Sequence, residues 1–199
     1  MRNSQDRKDK TRQRILKSAA HLFNRNGLTE TTIDEIMTAA GLTHGGFYRH
    51  FASKDELYAE AVRRFLCKET PEPWQKSSSD ACRANQPFAR FIVDAYLSRD
   101  HLDDLDGSCP LIGLPSDVAR SSKSVKSAYR EIAESMIRVF ESSLNEPDAR
   151  QRALVLVALC VGAMVLARAI DDQALGDDFR NAALRHVVAT AGWGDGRGD

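Results

Sequence analysis

The run Thr43-His44-Gly45-Gly46-Phe47-Tyr48-Arg49-His50 is the part of this 199-residue chain richest in chemistry for its length. Five of its residues carry hydrogen-bonding side chains, and none is acidic. A short helix with small or donor groups at its N-terminus and longer donors behind them suits duplex DNA. The first set reaches base edges in the major groove, and the second reaches phosphates. Gly45 and Gly46 each cost about 1 kcal/mol of helix propensity relative to alanine, which a close approach to DNA or to a neighbouring helix would explain.

A second kind of chemistry belongs to Cys109. It precedes Pro110, a residue suited to the first helical position, so the thiol is expected at an N-cap, where the helix field favours a thiolate. Asp103, Asp104 and Asp106 oppose that effect. Cys67, Cys82, Cys109 and Cys160 show no CxxC spacing and no histidine at ligand spacing, so they read as reduced thiols with no metal site and no cofactor.

The elements that must position these residues are helices, because no run alternates with the period of a strand. Apolar Ile15, Leu16, Ala19, Leu22 and Phe23 recur at three and four over residues 10–26, with Arg12, Arg14 and Lys17 on another face and Gly27 as a stop. Thr31 or Thr32 caps a short helix over 33–40, whose first turn holds Asp34 and Glu35. Gly41 ends it, and a second short helix runs to about His50. Ser53-Lys54-Asp55-Glu56 has the form of a capping box, and Leu57, Ala61, Val62 and Phe65 continue the helix that follows. Residues 69–86, with three consecutive serines and two prolines, read as a loop. Further helices are expected over 87–99, 110–120 (interrupted at Gly113 and Pro115), 122–144, 148–170 and 177–191.

Two short helices joined through Gly41, with Ile33, Ile36, Met37, Ala40, Leu42, Phe47 and Phe51 between them, make a helix-turn-helix. The run TTIDEIMTAAGLTHGGFYRHFASKDELYAEAV resembles the DNA-binding domain of TetR/AcrR-family transcriptional regulators over about residues 10–65. The resemblance implies an all-α homodimer, with an N-terminal helix-turn-helix three-helix domain followed by a larger helical ligand-binding and dimerisation body. It further implies base-facing roles for Thr43, His44 and Gly45, and phosphate-facing roles for Thr32, Tyr48, His50 and Lys54. The context GSCPLIGLPSDVA resembles the NemR-like branch of that family, which implies that Cys109 senses electrophiles or oxidants.

The expected organisation is a flexible arm (1–9), the helix-turn-helix domain (10–52), a connecting helix (53–68) that couples the two parts, the ligand-binding and dimerisation domain (69–192), and a flexible tail (193–199). Within the third part, Phe88, Phe91, Tyr96, Leu111, Ile112, Leu114, Tyr129, Met136 and Phe140 mark a region for a small-molecule or electrophile effector. Ala153 to Ala167 is apolar throughout, yet its 15 residues fall short of the roughly 20 needed to span a bilayer. It is expected inside a bundle or in a subunit interface, where Ala158, Gly162 and Ala163 permit close packing. With no apolar core in its polar N-terminus, the chain is expected to be cytoplasmic and away from membranes.

Charge supports the same division. The 28 Lys and Arg balance the 28 Asp and Glu, but residues 1–64 hold 12 basic against 8 acidic side chains, net +4, and the remainder is −4. A basic end paired with an acidic body fits a polyanion partner at one end only. The function expected is a ligand- or thiol-controlled repressor on a palindromic operator, and no enzyme. Two alternatives are a small enzyme using Cys109 as nucleophile with His101 as its base, and a helical homodimeric interaction module.

Overall fold

The computed structural model describes residues 2–67, 88–144 and 147–193, and no strand occurs among them. In chain order the helices are α1 (Arg2–Glu30), α2 (Ile33–Ala39), a 3₁₀ helix (His44–Arg49), α3 (Lys54–Cys67), α4 (Phe88–Tyr96), α5 (Arg99–Asp103), α6 (Pro110–Gly113), α7 (Pro115–Ala119), α8 (Lys123–Glu141), α9 (Ala149–Ala169) and α10 (Gln173–Ala191). The loop expected over 69–86 lies outside the described residues.

These residues fall into two compact units. Residues 2–67 and 105–132 form the first, and residues 88–104 and 133–193 form the second, with the boundary inside α8. The structure thus draws the division differently from the expected 69–192 body, because residues 105–132 are tied to the N-terminal helices. Asn24 donates from its amide to the carbonyls of Asp106 (3.0 Å) and Ser108 (3.1 Å), and Arg25 pairs with Asp106. The backbone N–H of Leu28 donates to Asp117 Oδ2 at 2.7 Å. Arg63 on α3 grips the Glu131 carboxylate through Nε and Nη2 at 3.0–3.2 Å.

The core of the first unit follows the predicted spacing. Ile15, Leu16, Ala19 and Phe23 of α1 are buried, as are Ile36 and Met37 of α2, Phe47, Phe51, and Leu57, Tyr58 and Val62 of α3. Phe23 meets Tyr58 edge-on at 5.0 Å between centroids. Gly27 breaks α1 with φ 79° and ψ 171°, a conformation open almost only to glycine, so the predicted stop is a sharp kink before the last turn. Residues 2–9, expected as a flexible arm, instead continue α1 from Arg2. The i,i+4 pair Asp6–Lys10 (3.0 Å) and the Thr11 hydroxyl on the Arg7 carbonyl (2.9 Å) support those turns.

In the second unit α9 and α10 pack as a pair. A Cβ placed at Gly176 would lie 3.2 Å from the Ala167 carbonyl oxygen, so glycine brings the two backbones together there. The helix α9 runs 21 residues and is long and apolar enough to cross a membrane, which the 15-residue apolar run did not reveal. Ala153, Leu156, Val157, Cys160, Ala163, Met164 and Ala167 are nonetheless buried within this unit. The tail is fixed at its start: Gly192 caps α10 with φ 69°, and Trp193 is buried, its indole N–H donating to the Ser143 carbonyl at 3.3 Å. Residues 194–199 lie outside the described residues.

Candidate nucleic-acid interface

Local chemistry sets the position of each helix end around the basic surface. Thr32 is the N-cap of α2, with the reciprocal bonds of a capping box: the Glu35 N–H donates to Thr32 Oγ1 (3.2 Å), and the Thr32 N–H donates to Glu35 Oε2 (2.8 Å). The Thr32 N–H and the Thr32 hydroxyl, both donating to Oε2, hold the Glu35 carboxyl below its ordinary range. Thr31, the other candidate cap, is buried, and its hydroxyl donates to the Gly27 (2.7 Å) and Leu22 (3.2 Å) carbonyls. The turn after α2 uses Gly41 at φ 65°.

The 3₁₀ helix then presents one face outward. Thr43 is its N-cap in extended backbone, and its hydroxyl makes no capping bond. Phe47 points inward and is fully buried, with Phe51 5.8 Å away, ring to ring. Thr43, His44, Gly45, Tyr48 and Arg49 are exposed, Tyr48 to 62%. A Cβ at Gly45 would meet nothing within 4 Å, whereas one at Gly46 would sit 3.5 Å from Met37 Cε. Gly45 thus leaves the outer face flat, and Gly46 faces α2.

Five of the seven predicted contacts are therefore together: Thr43, His44, Gly45, Tyr48 and His50 share one short helix and its caps. Thr32 stands at the head of α2 with its hydroxyl engaged by Glu35 (2.8 Å to Oε2). Lys54 is different. Its ammonium donates to the carbonyls of Leu28 (2.8 Å), Thr31 (2.9 Å) and Thr29 (3.3 Å), so its three protons serve the end of α1 and the link to α2. These bonds fill lone pairs that a helix C-terminus leaves open. Ser53 meanwhile caps α3 as expected, accepting from the Glu56 N–H at 3.1 Å.

Two further features had no sequence signal. Asp34 Oδ1 lies 2.6 Å from His44 Nδ1, so an acid on α2 orients the imidazole at the head of the 3₁₀ helix. His50 is half-buried, and its Nδ1 is enclosed with no hydrogen-bond partner. Desolvation, then the charges of Lys8, Arg12 and Arg49, hold its imidazole below the ordinary histidine range. Arg12 stands 4.3 Å over the Phe51 ring and pairs with Glu60.

Residues 15–61 match the family of bacterial regulatory proteins named for tetR. The chain carries a TetR-family domain. Over 59 residues it is 41% identical to the HTH-type transcriptional regulator AcrR of Shigella flexneri, covering 30% of this chain and 27% of that protein. Over 55 residues it is 44% identical to the HTH-type transcriptional repressor KstR2 of Mycobacterium tuberculosis, covering 28% of each. These matches thus span little more than a quarter of the relatives' length. The fold agrees over far more of the chain: the crystal structure of reduced Escherichia coli NemR superposes with a TM-score of 0.72 at 21% identity, covering 89% of this chain and 95% of that one.

The remaining predicted residues distribute between the two units. Cys109 is buried in the first unit and is the N-cap of α6, with Pro110 at the first helical position as expected. Tyr129, also in the first unit, donates its hydroxyl to the Leu111 carbonyl at 3.2 Å, and burial with a smaller effect of Cys109 pushes it up to about 12. Of the effector-region residues, Leu111, Ile112, Leu114 and Tyr129 belong to the first unit, and Phe88, Phe91, Tyr96, Met136 and Phe140 to the second. His101, the base considered for Cys109, is buried in the second unit, where Nδ1 lies 2.7 Å from the Tyr96 carbonyl.

Proposed function

We propose that this protein is a sequence-specific DNA-binding transcriptional regulator, a repressor that leaves a near-palindromic operator when an effector acts. The observation that carries the reading is the outer face of the 3₁₀ helix. Thr43, Gly45, Tyr48 and Arg49 are exposed together, and the buried Phe47 anchors them from behind. Thr43, His44 and Gly45 face the bases, while Tyr48 and His50 meet phosphates. The Asp34–His44 contact fixes the direction in which the imidazole presents its other nitrogen. Thr32 adds a phosphate contact from the head of α2, and Lys54 holds the framework.

The protein works as a homodimer through α9 and α10. Leu154, Val155, Leu166, Leu175 and Phe179 are exposed on these helices. Val155, Leu166 and Phe179 also line an open groove of about 620 Å³, which a second copy fills. Two protomers then place their recognition helices in successive major grooves, about 34 to 36 Å apart. The effector is a small molecule, or an electrophile that modifies Cys109. Either one acts by binding one of two conformations better than the other.

Selection of duplexes from a random-sequence pool on the full chain tests this reading. The expected product is an inverted repeat whose half-sites lie one helical turn apart. Recovery of no enriched sequence would overturn it.

A further inference from the structure

The N-terminal turns of α1 precede the residues matched by the family, yet they continue the helix that lies beside the recognition element. Arg12 fixes their position, because its guanidinium sits over the Phe51 ring and pairs with Glu60, with Glu56 at 4.0 Å. Lys8 is four residues earlier, so it occupies the same face one turn, about 5.4 Å, further out. There it is exposed and close enough for its charge to act on the His50 ring. The side chains of Lys8 and Arg49 make no ion pair or hydrogen bond among the described residues, whereas the charge of Arg12 is already matched by acids. Lys8 and Arg49 are thus two exposed cations whose charges both act on the half-buried His50 ring.

We infer that Lys8, with Arg49 and His50, forms a clamp for a DNA phosphate at the edge of the recognition helix, with Lys8 supplied by the first turns of α1. The inference rests on the DNA-binding reading above and adds a contact to it. A phosphate there gives the two cations a counter-charge and accepts the imidazole N–H. The clamp reads no bases, so it lengthens the footprint without changing the preferred sequence.

The test measures affinity of the full chain for the duplex recovered by selection, across a sodium chloride series, for wild type, Lys8→Gln, Lys8→Arg and Lys17→Gln. Loss of one phosphate contact should reduce the slope of log affinity against log salt by about 0.9 per protomer, an affinity loss of about eightfold at about 0.1 M salt. Lys8→Arg should keep the wild-type slope. Lys17→Gln should keep it too, since Lys17 lies about 13.5 Å further along the helix, beyond the Debye length of about 10 Å. An unchanged slope in Lys8→Gln, an equal loss in Lys17→Gln, or an altered base preference in Lys8→Gln would each overturn the clamp while leaving DNA binding in place. Failure of the wild type to bind any duplex would overturn the DNA reading and the clamp together. Circular dichroism of Lys8→Gln should show wild-type helicity, as expected for an exposed helical position.

Discussion

Lys54→Met separates a structural lysine from a phosphate-binding one. The substitution keeps the aliphatic stem and removes three bonds, from Nζ to the carbonyls of Leu28, Thr29 and Thr31. A hydrogen bond to a charged group contributes about 1.5–3 kcal/mol, and a buried acceptor left unpaired costs about 1–3 kcal/mol. The Thr29 bond is long and exposed, so water replaces it at little cost. The other two are part-buried, and their loss together is expected to destabilise the first unit by about 3 kcal/mol. For a chain of this size that corresponds to a fall in Tm of about 6–12 °C. Urea denaturation followed by tryptophan-independent circular dichroism, with a salt series of DNA affinity on the same protein, reads both roles. The expected pair of results is a lowered midpoint with a wild-type salt slope. A wild-type midpoint with a slope reduced by about 0.9 per protomer would refute the positioning role and place Lys54 on a phosphate.

Gly27→Ala should cost about 3 kcal/mol in chemical denaturation. The new Cβ would strain the φ of 79° and come within 2.6 Å of Asp117 Oδ2, displacing the carboxylate from the Leu28 N–H. A loss below about 1 kcal/mol would show that the Asp117 tether is not fixed by that glycine. Val155→Glu with Leu166→Glu should weaken self-association about a hundredfold, read by sedimentation equilibrium, because it places carboxylates on the exposed stripe of α9. His101 gives a pH effect. Burial, with a smaller push from Arg168 against the Tyr96 carbonyl and Asp104, holds its imidazole below the ordinary range. The unfolded chain therefore takes up that proton first, so the contribution is whole above about pH 6.5 and is lost as pH falls below it. The stability difference between wild type and His101→Gln should shrink between about pH 7 and 5.5, and a constant difference would count against the buried neutral imidazole.

Much of the first unit was legible because its determinants are local. Thr32 and Glu35, Ser53 and Glu56, and Cys109 before Pro110 are pairs within four residues: the first closes the full capping box, Ser53 caps α3 while Glu56 reaches the Ala52 N–H, and Cys109 takes the N-cap position. The 3.6-residue period likewise identified the buried faces of α1 and α3. The long-range partners were not legible. Lys54 meets carbonyls 23–26 residues away, and nothing in the pattern of a capping box says which helix end its side chain will reach. Asp106 reads only as an acid opposing the Cys109 thiolate and Asp117 carries no motif, yet they join residues 105–132 to Arg25 and Leu28. Asp34 was read only as an acid favoured by a helix N-terminus, and its partner His44 lies across the turn. Trp193, in a glycine-rich tail, is buried against Phe140 through a tertiary contact that composition gave no hint of.

On the proposed reading, the outer face of the 3₁₀ helix reads base sequence. Its most direct measurement is the ratio of affinities of the full chain for the selected duplex and for a scrambled duplex of equal length and composition, in wild type and in Thr43→Ala/Tyr48→Ala. The wild-type ratio should be at least about 10³, and the double substitution should collapse it towards unity while leaving the salt-sensitive, non-specific binding. Equal affinity of the wild type for both duplexes, or a ratio that survives the double substitution, would show that this face does not read base sequence.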